Sequence, residues 1–249
     1  MTWLKDNWQL AAVNVVSLAI VASLLEQLEN MKNTSVGFDP MMESGKWGVR
    51  FLLLCLAMTP LNTLFGWRSA VKLRKTLGLW AFGFGLLHLA FYVSENGFGW
   101  MQPPIPTHVV LGIVTLGILT AMAVTSNRRA MKRLGRWWKR LHRLVYVTGC
   151  GVIVHGMLAA IGSKKMAVRD PHAIHELQLY LGVVVVLLVI RIPLVRSVIA
   201  DFRHRRMAAV LKREVQPVMG YAALTDGPDE PMSLPLETEE EPEVEVTAG

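Results

Sequence analysis

The sequence is poor in charge for its length, and most of all in acidic residues before its last stretch. Only 18% of the 249 residues are charged, whereas a soluble globular domain carries about a quarter. Nine acidic residues precede Glu214 and ten lie from Glu214 onward, while all 26 basic residues precede it. The apolar share of 52% excludes a collagen or a wholly disordered chain and indicates more buried surface than one ordinary core provides.

Two kinds of motif are also missing. The only cysteines, Cys55 and Cys150, both lie in apolar runs and predict no disulfide framework. No Gly-x-Gly-x-x-Gly follows a strand pattern, so a nucleotide-binding domain is not predicted. If the protein carries out redox chemistry, we expect another molecule to supply the reducing equivalents.

What the sequence has instead is a series of long apolar stretches. Each approaches the roughly 20 residues that an α-helix needs to cross a bilayer. Pro60 and Arg191 interrupt two of them. Neighbouring helices can satisfy the backbone groups that Pro60 leaves unpaired, and the Arg191 side chain can extend to the membrane interface. We predict an all-α integral membrane protein with a six-helix transmembrane bundle and a first helix retained in the mature chain. The stretches lie near residues 7–25, 51–67, 77–94, 107–125, 144–162 and 177–195.

Basic residues fix the predicted orientation. They concentrate between the second and third stretches, from Arg128 to Arg143 between the fourth and fifth, and after the sixth. By the positive-inside rule these loops and both termini face the cytoplasm. The basic surplus is then explained by the lipid bilayer as partner, and no nucleic acid is expected.

The composition also divides the chain into regions. An amino-terminal helix and outer loop occupy 1–45, the main transmembrane bundle 46–200, a basic juxtamembrane segment 201–213, and an acidic tail 214–249. The tail is rich in Pro and Glu with few large apolar groups, so we expect a disordered cytoplasmic extension.

Two histidines lie deep in predicted spans, His88 in the third and His155 in the fifth. Each is about 16–20 Å along its helix from the cytoplasmic end, so the two can sit at one level. Two neutral imidazoles that face each other from different helices can hold the iron of a b-type haem. The alternative is that each histidine only forms a hydrogen bond across the bundle.

Small residues flank both histidines and favour a close approach of backbone to a macrocycle. The same residues are also compatible with ordinary tight helix packing. They are Ala81 and Gly85 before His88, and Thr148, Gly151 and Ala159 around His155.

His142 lies thirteen residues before His155, about 20 Å along a helix. The position at that level on the third span is Arg74, so no second pair of histidines is predicted. We interpret His142 and Arg74 as a cytoplasmic-edge site for a flavin phosphate or a quinone. The alternative is an interfacial histidine among orientation charges.

Several motifs resemble the ferric-reductase-like transmembrane domain family. The resemblance covers roughly residues 45–200 and is strongest to haem-binding subunits of bacterial systems that reduce protein methionine sulfoxide. The motifs are Thr59-Pro-Leu61, Arg74 to Trp80 with Leu87-His88, Thr125-Ser126, and Lys132 to His142 with Tyr146 and His155. The acidic tail, His108 and the first 45 residues depart from the family pattern.

The resemblance implies a haem b protein of the cell inner membrane, with His88, His142 and His155 in haem binding. It also implies flavin mononucleotide (FMN) or quinone as a further cofactor, and a cytoplasmic flavin reductase or the quinone pool as electron donor. The acceptor would be a periplasmic molybdopterin-containing reductase subunit that repairs methionine sulfoxide. The chain would thus be an electron-transfer subunit of an oxidoreductase system and not its catalytic subunit.

Two other functions fit the sequence. One is a membrane reductase acting directly on external ferric or cupric ions, with His172, His175 and Glu176 as the metal site. The other is a non-redox scaffold or permease whose histidines only pack.

Overall fold

The computed structural model describes residues 2–31, 39–99, 103–162 and 172–192, together with residues 195, 197, 198, 201 and 205. Every regular element within these residues is a helix, which confirms the all-α prediction. The helices are α1 (Thr2–Met31), α2 (Pro40–Phe65), α3 (Arg68–Asn96), α4 (Thr107–Val124), α5 (Arg128–Leu134), α6 (Arg136–Arg143), α7 (Val145–Gly162) and α8 (Ala173–Val189).

Five helical segments are long and apolar enough to cross a membrane: Asn7–Asn30, Pro40–Phe65, Ser69–Asn96, Thr107–Val124 and Arg136–Gly162. The sixth predicted span corresponds to α8, which is apolar but has 17 residues and ends at Val189. Five spans of the predicted six are therefore present by length and composition, and the sixth stays a prediction. The acidic tail and most of the basic segment lie outside the described residues.

The outward faces of these helices are apolar. Val15, Leu54, Val114 and Val186 each expose about half or more of their surface. Large apolar side chains exposed in this number are unfavourable in water but are normal on the lipid-facing surface of membrane helices. The chain is a multi-pass membrane protein.

The helices α2 and α3 form a tight antiparallel pair. The Asp39 carboxylate caps α2 by accepting a hydrogen bond from the Met42 amide at 3.1 Å. Gly66 ends α2 with φ 70°, a left-handed conformation that lets α3 begin at once. The Phe51 and Phe84 rings then stack across the pair with centroids 5.3 Å apart. This pairing brings the beginning of α2 beside the end of α3.

The helices α4 and α7 form a second close pair. A Cβ atom at Gly151 would lie 2.6 Å from Cγ2 of Thr115. The Thr115 hydroxyl lies 2.9 Å from the carbonyl oxygen of Leu111, which holds the side chain in that orientation. The glycine thus sets the separation of these helices.

The basic connection between α4 and α7 folds into two short helices, α5 and α6, with no buried residue. Gly135 separates them with φ 52°. His142 lies on α6, and a single turn residue, Leu144, with right-handed helical dihedral angles, separates α6 from α7. The sequence places His142 at the start of the fifth span, and the apolar helical stretch Arg136–Gly162 includes it. Gly149 lies inside α7, where a Cβ atom would stand 3.0 Å from Leu56.

Candidate haem site and edge cavity

His88 projects from α3 onto the first turn of α2. Its Nδ1 lies 2.8 Å from the carbonyl oxygen of Met41. The imidazole also lies against Gly45, where a Cβ atom would stand 3.0 Å from Nδ1. The side chain is therefore held by backbone atoms of α2.

His155 projects from α7 onto the first turn of α4 in the same manner. Its Nδ1 lies 2.6 Å from the carbonyl oxygen of His108. A Cβ atom at Gly112 would stand 2.9 Å from Cε1 of the imidazole. Each histidine is thus seated on the helix that pairs with its own.

The two imidazoles meet each other between the helix pairs. Their ring centroids are 6.1 Å apart and their planes are nearly perpendicular, at 87°. Two imidazoles that bind one metal ion from opposite sides, each through a nitrogen about 2 Å away, have ring centres about 6 Å apart. At this separation, His88 and His155 are the residues that would hold a haem iron.

The hydrogen bonds also define which nitrogen each histidine offers. A carbonyl oxygen only accepts, so Nδ1 of His88 and Nδ1 of His155 each carry a proton and donate it. In a neutral imidazole the lone pair then lies on Nε2, the nitrogen that can bind a metal. Both side chains therefore have the chemistry of a haem ligand.

Two of the small residues that the sequence suggested as room for a macrocycle lie in contacts between helices. A Cβ atom at Gly85 would lie 3.2 Å from Leu116, and Gly151 faces Thr115. The glycines that touch the imidazoles are Gly45 and Gly112. Sequence spacing around each histidine could not find them, because they lie on the partner helices.

His108 is a residue to which the sequence analysis assigned no role. Its backbone carbonyl accepts the proton of His155 Nδ1. Its imidazole also lies near that of His155, with the two ring centroids 6.2 Å apart. It is thus the third histidine of this region. The sequence feature that could have indicated this role is the position of His108 at the start of the fourth span, at the same side of the membrane towards which His155 lies.

A cavity of about 650 Å³ lies near the other ends of these helices. Both Arg74 and His142 line it, as the interpretation of an edge site expected. Its basic lining residues are Arg74, Lys75, Arg128, Lys139 and Arg143, and its apolar wall includes Leu52, Val71, Leu79, Leu119, Met122 and Val145. None of the described lining residues is acidic.

His142 is fixed within this cavity by its own helix and by α4. Its Nδ1 donates to the Trp138 carbonyl at 3.1 Å, and the Trp138 ring stacks on it at 4.0 Å. Its Nε2 lies 3.5 Å from Oγ of Ser126, whose hydroxyl donates to the Met122 carbonyl at 2.7 Å.

An ion cluster joins α2 to α8. The Arg50 guanidinium donates to Glu176 at 2.7 Å and to the Tyr180 hydroxyl at 2.8 Å, and Lys46 lies 3.4 Å from Glu176. The Tyr180 hydroxyl also donates to Glu176. Sequence reasoning did not find this cluster, since it took Glu176 as a possible metal ligand beside His172 and His175.

The cluster bears on the proposed external metal site. His172 and His175 are exposed, while the Glu176 carboxylate is engaged by Arg50 and Lys46. Among the described residues no group of three or more metal-ligating side chains comes together. The arrangement gives no support to a metal-ion substrate site on α8.

These features define a multi-pass helical membrane protein with a two-histidine site between helix pairs. The family described as "ferric reductase like transmembrane component" matches residues 44–153. The protein-methionine-sulfoxide reductase heme-binding subunit MsrQ of Xanthomonas euvesicatoria pv. vesicatoria (strain 85-10) is 32% identical over 188 residues, which cover 71% of this chain and 82% of that protein. No solved structure matches the chain.

The chain therefore belongs to the ferric reductase-like transmembrane family that includes this subunit, as the sequence motifs predicted.

Proposed function

We propose that the protein is a haem b-containing electron-transfer subunit of a methionine sulfoxide reductase system. The observation that carries the proposal is the pair His88 and His155, with ring centroids 6.1 Å apart and both Nδ1 atoms bonded to carbonyls. The printed name of the similar subunit, which is heme-binding, supports the same cofactor.

In this proposal, His88 and His155 are the residues that would hold a haem, each through its Nε2 atom. A bound haem would supply one-electron chemistry at its iron. The chain supplies the rest: the carbonyls of Met41 and His108 orient the two rings and increase the basicity of each ligand nitrogen. The packed helix pairs α2–α3 and α4–α7 keep the two rings at their fixed separation.

The cavity beside His142 is proposed to bind FMN or a quinone. Its five basic side chains suit a phosphate, and its apolar wall suits an aromatic ring system. Arg74 and Lys75 come from α3, Arg128 comes from α5, and Lys139 and Arg143 come from α6. A ligand there would lie between the haem site and the cytoplasmic donor, either a flavin reductase or the quinone pool.

The proposed orientation places both termini in the cytoplasm of a cell with an inner membrane, with α8 as the sixth span. The exposed bases of α5 and α6 then lie on the cytoplasmic side, by the positive-inside rule. The His88–His155 site lies in the outer half of the bilayer, close to a periplasmic partner. We propose that this partner is a molybdopterin-containing reductase subunit.

Haem binding tests the proposal directly. We expect the full chain, purified in detergent after haem-replete expression, to show a reducible b-type spectrum. His88→Ala and His155→Ala each remove an axial ligand and abolish that spectrum, while His142→Ala weakens or shifts it. His175→Ala, at an exposed histidine of α8, is the matched control and leaves the spectrum unchanged.

Full haem content in both His88→Ala and His155→Ala would contradict the ligand assignment. A colourless wild-type protein would instead support the non-redox alternative.

A further inference from the structure

The two halves of the haem site repeat one construction. Met41 is the second residue of α2, and its carbonyl receives the proton of His88 Nδ1. His108 is the second residue of α4, and its carbonyl receives the proton of His155 Nδ1. In each half a glycine stands four positions after the carbonyl residue and touches the imidazole.

Helix geometry explains why that position is a glycine. In an α-helix the carbonyl of one residue accepts the amide proton of the residue four positions later. A side chain from another helix that shares this carbonyl must pass over that later residue, where a Cβ atom would normally project. Gly45 and Gly112 occupy these positions.

The distances show how little room there is. A Cβ atom would stand 3.0 Å from Nδ1 and 3.2 Å from Cε1 of His88 if built at Gly45. Built at Gly112, it would stand 3.0 Å from Nδ1 and 2.9 Å from Cε1 of His155. Carbon atoms in ordinary contact are about 3.5–4.0 Å apart. A methyl group at either position would push the imidazole away from its carbonyl.

We propose that Gly45 and Gly112 are positioning residues for the two haem ligands, an inference that rests on the proposed function. Their missing side chains let each imidazole reach a backbone carbonyl. That hydrogen bond keeps the proton on Nδ1, turns the ring, and presents a more basic Nε2 to the iron.

The test uses Gly45→Ala and Gly112→Ala in the full haem-loaded chain. Each variant lengthens one Nδ1 hydrogen bond and makes its Nε2 a weaker electron donor. We expect the midpoint potential of the haem to become more positive, the low-spin electron paramagnetic resonance signal to shift, and haem affinity to fall about 10- to 100-fold. The resonance signal reports directly on the two ligands, whereas the potential and the haem affinity also respond to packing and are therefore compared with matched controls.

The matched controls are Gly83→Ala on α3 and Gly117→Ala on α4. Both glycines lie on the same elements as the site, and a Cβ atom at either would meet nothing within 4 Å. The controls therefore gain the same methyl group and helix propensity without touching an imidazole. Their potential and resonance signal should equal those of the wild type.

A double-mutant cycle keeps the proposal testable if a glycine variant accumulates poorly. We expect Gly45→Ala to lower the thermal stability of the haem-free chain, and to lower it much less when His88→Ala has removed the imidazole. Equal effects in both backgrounds would show that the methyl group clashes elsewhere, and would overturn the proposal.

Unchanged potential and resonance signal in both glycine variants, with haem bound, would also overturn the proposal while leaving the proposed function intact. A wild-type chain that binds no haem would instead overturn the proposed function.

Discussion

The two candidate sites of this protein differ in whether backbone or side-chain atoms form them. The His88–His155 site is positioned by backbone: two carbonyls, two glycine surfaces and two tightly packed helix pairs. The edge cavity is lined by side chains, with long basic groups around His142 on the short helices that join α4 to α7.

The difference matters because backbone atoms of packed helices move little, whereas long basic side chains adapt to what they bind. The first site suits a cofactor that requires fixed geometry. The second suits a ligand held by charge and apolar contact. Substitutions that alter helix packing should therefore disturb the His88–His155 site, and substitutions that alter charge should disturb the edge cavity.

The largest effect is expected from packing between α4 and α7. Gly151→Ala places a methyl group 2.6 Å from Cγ2 of Thr115, whose hydroxyl is held by the Leu111 carbonyl. Overpacking of this kind lowers the free energy of unfolding by about 2–3 kcal/mol. Thermal denaturation of the purified chain in detergent measures the loss, and we expect the haem spectrum to be disturbed with it.

Thr115→Ser provides the rescue for that change, since it deletes Cγ2 and keeps the hydroxyl. The double variant Gly151→Ala with Thr115→Ser should recover most of the stability. If the double variant is no more stable than Gly151→Ala alone, the contact with Thr115 does not set the helix separation.

A smaller effect is expected from the ion cluster between α2 and α8. Glu176→Gln keeps the side-chain shape but removes the charge that faces Arg50 and Lys46. The pair is only partly shielded, with Arg50 33% and Glu176 26% exposed, so we expect a loss of about 2 kcal/mol in the free energy of unfolding. Thermal denaturation checks this value.

Glu26→Gln is the matched control, because Glu26 is exposed on α1. It should leave stability unchanged. A Glu176→Gln chain as stable as this control would show that the cluster does not hold α8 against α2.

Much of this organisation could be predicted from the sequence. The all-α fold, five of the spans and the common level of His88 and His155 depend on hydropathy and helical rise, which are local properties. The contacts of Gly45 and Gly112 with the two imidazoles could not be predicted. They depend on which helix faces pack together, and spacing along a single helix carries no information about its partner.

The smallest expected effect concerns the edge cavity. Arg74→Ala removes one cation from its lining. If that cation binds a phosphate, the affinity for FMN should fall about tenfold, equivalent to about 1.4 kcal/mol. Fluorescence titration of the purified chain with FMN measures this change, and the stability and spectrum of the haem site should remain as in the wild type.

Two comparisons separate charge recognition from a general change of shape. Riboflavin has the same ring system without the phosphate, so its affinity should be equal in Arg74→Ala and the wild type. Arg129→Ala removes an exposed cation of α5 that does not line the cavity, and it should leave FMN binding unchanged. An equal loss for FMN and riboflavin would show that Arg74 shapes the apolar wall, and would favour a quinone as the occupant.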